Sequence, residues 1–317
     1  MARYILRRLL QAIPLLLLVS IISFFIMQLT PGGPMAMYLM NPKVTAADIA
    51  RLEHLYGLDQ PIYVQYFKWL WALLHGNLGF SYKTGQPVLA MILSRLPNTL
   101  ELMIAAFILA VAVAIPAGIF SAVRRYTFGD HVVTVFTFMG VAIPSFWFGL
   151  MLQLLFSVQL GWLPSAGMMT IGAPFSLLDR IRHLILPAFM LGLLSMAGWT
   201  RYMRSSMLDA LSEDYIRTAR AKGLAERVVH WKHAVKNALI PVITIMGLEI
   251  PSWFAGAVIT ETVFAWPGMG RLYWDSVGSR DYPVLMGALM LTTFMVVVGN
   301  LVADVLYGIV DPRIRYD

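Results

Sequence analysis

The polar residues that could do chemistry in this chain lie within long apolar runs. Glu249, Gln153 and Asn300 occupy positions that a membrane helix would bury, and Asp304 lies nearer the end of its run. A charged side chain at the centre of a bilayer costs about 2.5–3.5 kcal/mol on insertion scales, so it should face a bundle interior or water. We therefore predict that Glu249, Gln153 and Asn300 line a path for a solute. A structural contact with a neighbouring helix or subunit is the alternative for Glu249. Asp304 is near enough to the inner surface to snorkel or to pair with a basic loop residue.

The segment from Ser212 to Pro241 is charged and helix-patterned, and it lies between two long apolar runs. Ser212 is predicted to cap a short helix over 213–222, and Gly223 is predicted to follow its end as a left-handed residue. Acidic side chains in the first turn and basic ones in the later turns suit the helix dipole. The acidic residues are Glu213 and Asp214, and the basic ones are Arg217, Arg220 and Lys222.

Apolar residues in this segment recur at helical spacing on either side of Gly223. Tyr215, Ile216 and Ala219 form one small edge before it. A second helix is predicted over 225–238, and Pro241 is predicted to mark the entry to the next apolar run. The apolar residues of that second helix are Val228, Trp231, Val235 and Ala238. The pattern leaves two interpretations open: a solvated amphipathic hairpin, or a docking helix that enters a groove of a peripheral protein through charged contacts.

The composition identifies the solvent of these elements. Of 317 residues, 59% are hydrophobic and 13% are charged, and the mean hydropathy is +0.70. A soluble domain has about 25% charged residues, so we predict that lipid surrounds this chain. The absence of cysteine excludes disulfides, thiolate metal sites and cysteine nucleophiles. The net charge of +7 is interpreted as loop charge that fixes orientation, rather than as a nucleic-acid surface.

Six apolar runs are long enough to be membrane spans, since a span needs about 20 residues. They are 9–29, 99–123, 132–157, 184–200, 240–264 and 283–308. The first is interpreted as a retained helix because its apolar run exceeds that of a signal peptide and no A-x-A-like cleavage site follows. The fold predicted is thus an all-α integral membrane protein with six spans. Residues 1–98 would hold the first span and a large external loop, and 99–317 a five-helix core with a cytoplasmic loop at about 201–239.

Lysine and arginine set the predicted orientation. They are denser in 1–8, 124–131, 201–239 and 309–317 than in the alternate, longer connecting segments. Because basic loops stay in the cytoplasm, both termini are predicted to be cytoplasmic.

The external segment contains further local signals. Thr45 and Asp48 have the form of a capping box that opens a helix through about Leu55, and Gly57 would end it. Residues 61–74 are apolar and aromatic but too short to span. They would lie on the bilayer or the spans, or form a cap that meets an external delivery protein. Residues 77–82 are predicted to be a loop.

Prolines interrupt three of the apolar runs at Pro116, Pro144 and Pro251. A proline removes a backbone hydrogen bond and kinks a helix, which could curve the helices around a path. The alternative is that proline is simply frequent in membrane helices.

The charged segment resembles the cytoplasmic EAA loop of ABC importer permeases. Arg217, Thr218 and Ala219 stand where the general pattern has Glu-Ala-Ala, and Gly223 has the matching offset. The missing Glu and first Ala, and the distant Pro241, resemble the dipeptide/oligopeptide/nickel branch of these permeases. Other stretches that resemble this branch are 4–8, 31–34, 204–208, 260–270, 281–283 and 311–315. The resemblance therefore extends over essentially the whole chain.

This resemblance implies a type I ABC importer permease rather than an enzyme. It implies a heterodimer with a second related permease, two cytoplasmic ATPase subunits and an external solute-binding protein, in a bacterial or archaeal cytoplasmic membrane. It implies no cofactor in this chain, with ATP and magnesium bound by the ATPases, and no nucleic acid. The cargo would be peptides or a related small solute. The residues implied to contact an ATPase are Glu213, Asp214, Tyr215, Arg217, Thr218, Ala219, Arg220, Lys222 and Gly223.

Two other function classes compete with this one. The chain has no G-x-x-x-x-G-K-[ST] phosphate loop, so it cannot be its own motor. An ion-coupled secondary transporter could use Glu249 or Asp304 as cation sites, but the basic loop would then have no purpose. An intramembrane enzyme is disfavoured because the sequence has no H-E-x-x-H motif and no span carries G-x-S-x-G.

Overall fold

The structure is a computed structural model that describes residues 2–35 and 44–310. Within these ranges the chain is helical, and no strand is formed beyond an isolated bridge between Phe80 and Pro87. The helices are α1 (Ala2–Leu29), α2 (Ala46–Tyr56), α3 (Ile62–Leu74), α4 (Val88–Val123), α5 (Phe128–Ala142), α6 (Ser145–Gln159), α7 (Leu177–Ser212), α8 (Asp214–Ala221), α9 (Glu226–Ala255), α10 (Val258–Val263), α11 (Met269–Ser279) and α12 (Tyr282–Val310). The 311–315 stretch noted in the sequence lies outside the described residues.

Five of the described helices are long and apolar enough to cross a membrane: α1, α4, α7, α9 and α12. The pair α5 and α6 passes the same test together, but the two helices are bent by 108° at their junction. The chain is therefore a multi-pass, all-helical membrane protein with five spans, or six if the bent pair is one. The exact number of six and the cytoplasmic position of the termini remain predictions.

The helix that contains the predicted span 184–200 is longer than that apolar run. Helix α7 has 36 residues, from Leu177 to Ser212, so the segment predicted to be a cytoplasmic loop at about 201–239 starts as a continuation of this helix. Mean hydropathy detects a helical stretch in which most residues are apolar. The part of α7 after residue 200 has its buried apolar residues on one face only. They include Met203, Met207 and Ala210, at the spacing that places them on one helix face.

The predicted span 132–157 is broken at its proline. Pro144 precedes the first residue of α6, and Ile143 before it is extended, with φ −79° and ψ 125°. This follows from the clash between a proline ring and the residue before it, which disfavours the helical conformation there. Pro116, in contrast, lies inside α4 without ending it.

The predicted span 240–264 is not one helix. Helix α9 tightens into a 3-10 turn over Ile250–Ala255, which contains Pro251, and the chain then turns at Gly256, where φ is +83°. A separate short helix, α10, follows. The backbone passes so close to this turn that a Cβ on Gly270 would lie 2.5 Å from the backbone nitrogen of Val258. Glycine is therefore required at the crossing.

The chain divides into two compact units that interleave in sequence. The first contains residues 1–99, 254–258 and 267–317, and the second contains 100–253 and 259–266. The division of the chain at 98/99 that the sequence suggested remains a prediction. In the second unit, α7 packs against α4, α5 and α9 and provides much of the core. Its fully buried residues include Met196, Met203 and Met207.

The first unit retains the predicted external elements. The Thr45 hydroxyl and backbone N–H bond the Asp48 carboxylate, which confirms the capping box and holds the pKa of Asp48 below its usual value. Gly57 ends α2 with φ +68°, as predicted. In α3, Tyr66 and Trp69 pack against Phe24 of α1. This confirms packing of residues 61–74 on a span, and contact with a delivery protein stays a prediction.

Residues 77–82 form a loop, but this loop has an attachment that the sequence did not reveal. The Ser81 hydroxyl donates to the buried carboxylate of Asp281, and the Tyr82 N–H donates to the same group at 3.0 Å. Asp281 immediately precedes α12. A single carboxylate therefore fixes the loop to the start of the last long helix.

Helices α4 and α7 approach closely at Gly118. A Cβ there would lie 2.6 Å from Met203 Cβ and 2.9 Å from the Thr200 carbonyl oxygen. Gly118→Val should lower the free energy of unfolding by about 1–3 kcal/mol, because the added methyl groups overpack the crossing. Gly198→Val on α7 is the matched control, since no atom lies within 4 Å of its added Cβ. Thermal unfolding of the purified chain in detergent measures both, and equal melting temperatures would contradict the close approach.

Candidate functional site

Helix α8, near the start of the charged segment, begins one residue later than predicted. Its N-cap is Glu213, with φ −73° and ψ 152°, whereas Ser212 is the last residue of α7. The Ser212 hydroxyl donates back to the Asp209 carbonyl oxygen at 2.8 Å. The predicted cap at Ser212 was wrong, because Ser212 still belongs to α7 and no side chain caps the N–H groups of α8.

The end of α8 matches the prediction. Gly223 has φ +75°, its N–H donates to the Arg220 carbonyl oxygen at 2.9 Å, and the Leu224 N–H donates to the Ala219 carbonyl oxygen at 3.4 Å. This is the Schellman pattern, in which a left-handed glycine satisfies the last helix carbonyls. The position of Gly223 directly after the helical cap is confirmed.

The apolar edge of α8 is attached to the rest of its own unit. Ile216 and Ala219 are buried in a cluster that includes Met207 of α7 and Val229 of α9. Tyr215, predicted to share this edge, is instead exposed. Eight of the nine residues implied to contact an ATPase are exposed, and Ala219 is the buried exception. Helix α8 therefore packs on its neighbours through Ile216 and Ala219, and its polar face is exposed.

Ion pairs organise the outward face of α8. Arg217 lies 3.1 Å from the Asp214 carboxylate one turn earlier, and both side chains are more than three-quarters exposed. Arg220 bonds Glu226 at the start of α9 through two nitrogens, at 2.8 and 3.2 Å. Pairs of this kind contribute about 0–1 kcal/mol each to stability. They can therefore exchange for charges on another protein at low cost.

The second helix of the segment differs from its prediction. It begins at Glu226 and runs without interruption past Pro241, so it forms one continuous helix with the start of the predicted span 240–264. A π-helical turn over Val229–Ala234 widens it. This turn changes the buried face, because its hydrogen bonds link residues five apart instead of four, so the turn holds more residues than the 3.6 of an α-helix. Val229 and Ala234 are thus fully buried, Val235 and Ala238 are also buried as predicted, and the other two predicted apolar positions, Val228 and Trp231, are exposed.

A buried charge network holds the last part of α7 to the neighbouring helices. Arg204 bonds Asp130 at the start of α5 through two nitrogens, at 3.0 and 3.1 Å, and bonds the Ser121 hydroxyl of α4 at 2.9 Å. The Tyr126 N–H also donates to Asp130, at 2.9 Å. This network was not predicted from the sequence. The available signal was Thr127, which caps α5 with its side chain and marks Asp130 as a first-turn acid.

A second ion pair missed by the sequence analysis involves residues near the outer ends of the predicted spans. Arg180 of α7 bonds both carboxylate oxygens of Glu101 on α4, and its guanidinium lies 5.3 Å from the ring centre of Trp266. Trp266 and Phe264, both from the 260–270 stretch, are almost completely buried. These residues of the stretch therefore belong to the core of the second unit.

Glu249, the deepest predicted path residue, lines a cavity of about 180 Å³ within the second unit. Trp199 donates its indole N–H to one carboxylate oxygen at 3.1 Å, and the Ser195 hydroxyl lies 3.5 Å from the other. Ser252 and Trp253 also line the cavity. Glu249 therefore has a polar contact with a neighbouring helix and also faces an open space.

The other two predicted path residues have different surroundings. Gln153 donates to the carbonyl oxygens of Ser165 and Val263, at 2.8 and 2.9 Å, and so bridges two backbone segments. Gln153 does not line the Glu249 cavity. Asn300 belongs to the first unit, where it is exposed on α12 beside a separate cavity of about 250 Å³. Their role in a path stays a prediction.

Asp304 lies on the same side of α12 as that separate cavity. Its carboxylate is 2.9 Å from the Arg8 guanidinium on α1. This confirms the sequence-based possibility that Asp304 pairs with a basic residue.

Comparison with known proteins places these features in a family. Residues 114–316 match the family described as binding-protein-dependent transport system inner membrane component, and residues 1–103 match the N-terminal part of such components. The chain is 53% identical to an oligopeptide transport system permease protein, AppB, of Bacillus subtilis, over 100% of both chains. It is 40% identical to the di/tripeptide permease protein DppB of Pseudomonas aeruginosa and 39% identical to the dipeptide permease protein DppB of Escherichia coli, in each case over 100% of this chain and 99% of the relative.

Proposed function

Because the chain belongs to the family of binding-protein-dependent transport system inner membrane components, we propose that it is a permease subunit of an ATP-driven peptide importer in a bacterial cytoplasmic membrane. The curated relatives named above are bacterial, and their names specify oligopeptide, dipeptide or di/tripeptide transport. An archaeal source receives no support from them.

The observation that carries the coupling part of this proposal is the arrangement of α8. Its polar face is exposed while Ile216 and Ala219 are buried against α7 and α9. We assign the outward face to one cytoplasmic ATPase subunit. The residues of this contact are Glu213, Asp214, Tyr215, Arg217, Thr218, Arg220, Lys222 and Gly223, with Ala219 on the inward side.

This arrangement suggests how a movement of the ATPase subunits would be transmitted to the membrane helices. Closure of the ATPases on ATP would displace α8, and α8 would displace α7 and α9 because the buried residues between them are close-packed. Packed interiors transmit displacement since they have low compressibility and resist continuous deformation. Hydrolysis of ATP, with its magnesium ion, would occur in the partner subunits, and this chain would contribute no cofactor of its own.

We propose the remaining partners from the family to which the chain belongs. A second, related permease would complete the path, and a solute-binding protein would deliver cargo at the outer face. Glu249 is the residue that we assign to the path within this chain, because it faces a cavity. Gln153 and Asn300 are retained as weaker candidates, since Gln153 is occupied by two backbone carbonyls.

Reconstitution tests the proposal. The chain, its partner permease, two ATPases and the binding protein should take up labelled dipeptide or oligopeptide into proteoliposomes only when ATP is present on the cytoplasmic side. A proton gradient alone should give no uptake. Accumulation that follows the proton gradient in vesicles without ATPase subunits would refute the importer and support the secondary transporter. That alternative is less favoured because Asp304, one of its two possible cation sites, already bonds Arg8.

A further inference from the structure

The cavity beside Glu249 has features that the roles proposed so far for its residues do not explain. Glu249 carries the one ionisable side chain among the residues that line it. Three aromatic side chains line the same space: Phe107, Trp199 and Trp253. All of these residues belong to the second unit.

The Glu249 carboxylate has unused capacity for hydrogen bonds. A carboxylate offers about four acceptor sites, and Trp199 and Ser195 occupy one on each oxygen. Both donors are neutral. Among the described residues, no lysine, arginine or histidine forms an ion pair with Glu249. The negative charge in this apolar helix therefore lacks a cation, which is costly at membrane depth.

The aromatic side chains of the cavity attract positive charge in addition to the carboxylate. The ring centre of Phe107 lies 5.3 Å from that of Trp199 and 5.2 Å from that of Trp253, with edge-to-face tilts of 74° and 61°. The edge-to-face contacts hold the rings at fixed angles. Ring faces attract ammonium groups, most strongly where water is excluded. A carboxylate beside three aromatic rings therefore suits a small organic cation.

We propose that this cavity binds the primary ammonium group of the transported solute, which for a peptide is its amino terminus. The inference rests on the proposed function and adds the chemistry by which this chain recognises its cargo. An ammonium group would donate to the free acceptor positions of Glu249 while its carbon neighbours contact Phe107 and Trp253.

The size of the cavity fits one end of a peptide rather than a whole oligopeptide. Its volume is about 180 Å³, which corresponds to about six water molecules at about 30 Å³ each. Every unmodified peptide has an amino terminus, whatever its side chains. A site limited to this group would therefore hold peptides of varied sequence, and the remaining residues of the cargo would lie outside it.

Matched probes test the proposal directly. Alaninamide is cationic, and N-acetyl-alaninamide presents the same amide without the charge. Binding of each to the assembled importer in lipid nanodiscs, without the binding protein and without ATP, is measured by saturation-transfer NMR titration. We expect alaninamide to bind and the acetylated probe to bind at least about tenfold more weakly, the difference typical of a lost charge-assisted hydrogen bond.

Variants connect the result to the cavity. Glu249→Gln should weaken alaninamide binding by about tenfold or more and leave the acetylated probe unchanged, because it removes only the charge. Glu53→Gln is the matched control and should leave alaninamide binding unchanged, since it removes the same charge at an exposed position of α2 that does not line the cavity. Phe107→Leu keeps the carboxylate and should weaken alaninamide by several-fold, as expected for one lost cation–π contact. This second variant keeps the proposal testable if Glu249→Gln fails to assemble, which size-exclusion chromatography would show.

Three outcomes would overturn the ammonium site: equal binding of the two probes, no binding of alaninamide to the unaltered importer, or unchanged alaninamide binding in both the Glu249→Gln and Phe107→Leu variants. Displacement of alaninamide by potassium ions at equal concentration would also overturn it, since it would indicate an inorganic cation site. ATP-dependent peptide uptake by the unaltered importer is measured separately. Failure of that uptake would refute the proposed function, whereas intact uptake with failed probe binding would refute only the ammonium site.

Discussion

Replacing Gly223 with valine is expected to abolish peptide uptake while the importer continues to assemble and to hydrolyse ATP. Gly223 has φ +75°, and no atom lies within 4 Å of the position that a Cβ would take. The cost of valine is therefore set by the backbone and not by a clash with neighbours. The left-handed conformation costs a residue that has a Cβ atom about 1–2 kcal/mol of free energy, and branching at Cβ adds to this cost.

The expected consequence is local. The bonds from the Gly223 and Leu224 N–H groups fix how α8 ends and where the next helix begins. If valine forces this turn into another conformation, α8 turns relative to its buried contacts at Ile216 and Ala219. ATP hydrolysis would then no longer displace the membrane helices, because α8 would no longer contact α7 and α9 in the same position.

Asparagine supplies the matched control at this position, since it tolerates the left-handed conformation better than any β-branched residue. Gly223→Asn should retain most of the uptake, whereas Gly223→Val should lose it. Uptake and ATP hydrolysis are both measured in proteoliposomes that contain the full assembly. Coupled transport by the valine variant equal to that of the unaltered protein would refute the role of this turn.

Removal of the Asp130 carboxylate is expected to be the most destabilising single change at a charged residue in the second unit. The Asp130 side chain is 3% exposed and accepts hydrogen bonds from Arg204, Ser121 and the Tyr126 N–H. In Asp130→Ala these donors lose their acceptor, and the guanidinium loses its counter-ion. Breaking a buried ion pair from one side costs about 3–5 kcal/mol, and we expect the lower end because Arg204 is 30% exposed.

Asp214→Ala is the matched control for stability, because Asp214 is an aspartate paired with an arginine at a 91% exposed position. Its effect on the free energy of unfolding should stay within about 0.5 kcal/mol. Denaturant unfolding of the purified chain in detergent measures both variants. Asp130→Ala combined with Arg204→Met should recover part of the loss, since the double variant buries no unpaired charge. Equal unfolding curves for Asp130→Ala and Asp214→Ala would contradict the structural role of the network.

Local features of the fold could be predicted from the sequence because the information for them is contained in a few neighbouring residues. The capping box at Thr45 and Asp48 and the left-handed Gly223 are of this kind. Long apolar runs similarly predicted where the membrane helices lie. The lengths of the helices were not predictable in this way. Helix α7 continues to Ser212, beyond the apolar run 184–200, and a half-buried stretch of helix has no strong hydropathy signal.

The buried face of the charged segment could not be predicted for a different reason. A regular period of 3.6 residues placed Val228 and Trp231 on the inner face. The π turn shifts this face to Val229 and Ala234, and whether a turn widens depends on what packs against it. Periodicity alone contains no information about such a shift.

The sequence by itself determined that this chain is a multi-pass helical membrane protein, which short segment forms its charged helix, and which family it resembles. Those properties depend on composition, on spacing within a few turns and on contiguous motifs. Only the tertiary structure decided which distant residues meet: Asp281 with Ser81 across 200 positions, Arg204 with Asp130, and Glu249 with a cavity bounded by Phe107 and Trp199. Contacts of that separation arise when helices pack, and packing is set by the shapes of all the faces together rather than by any one stretch of the chain.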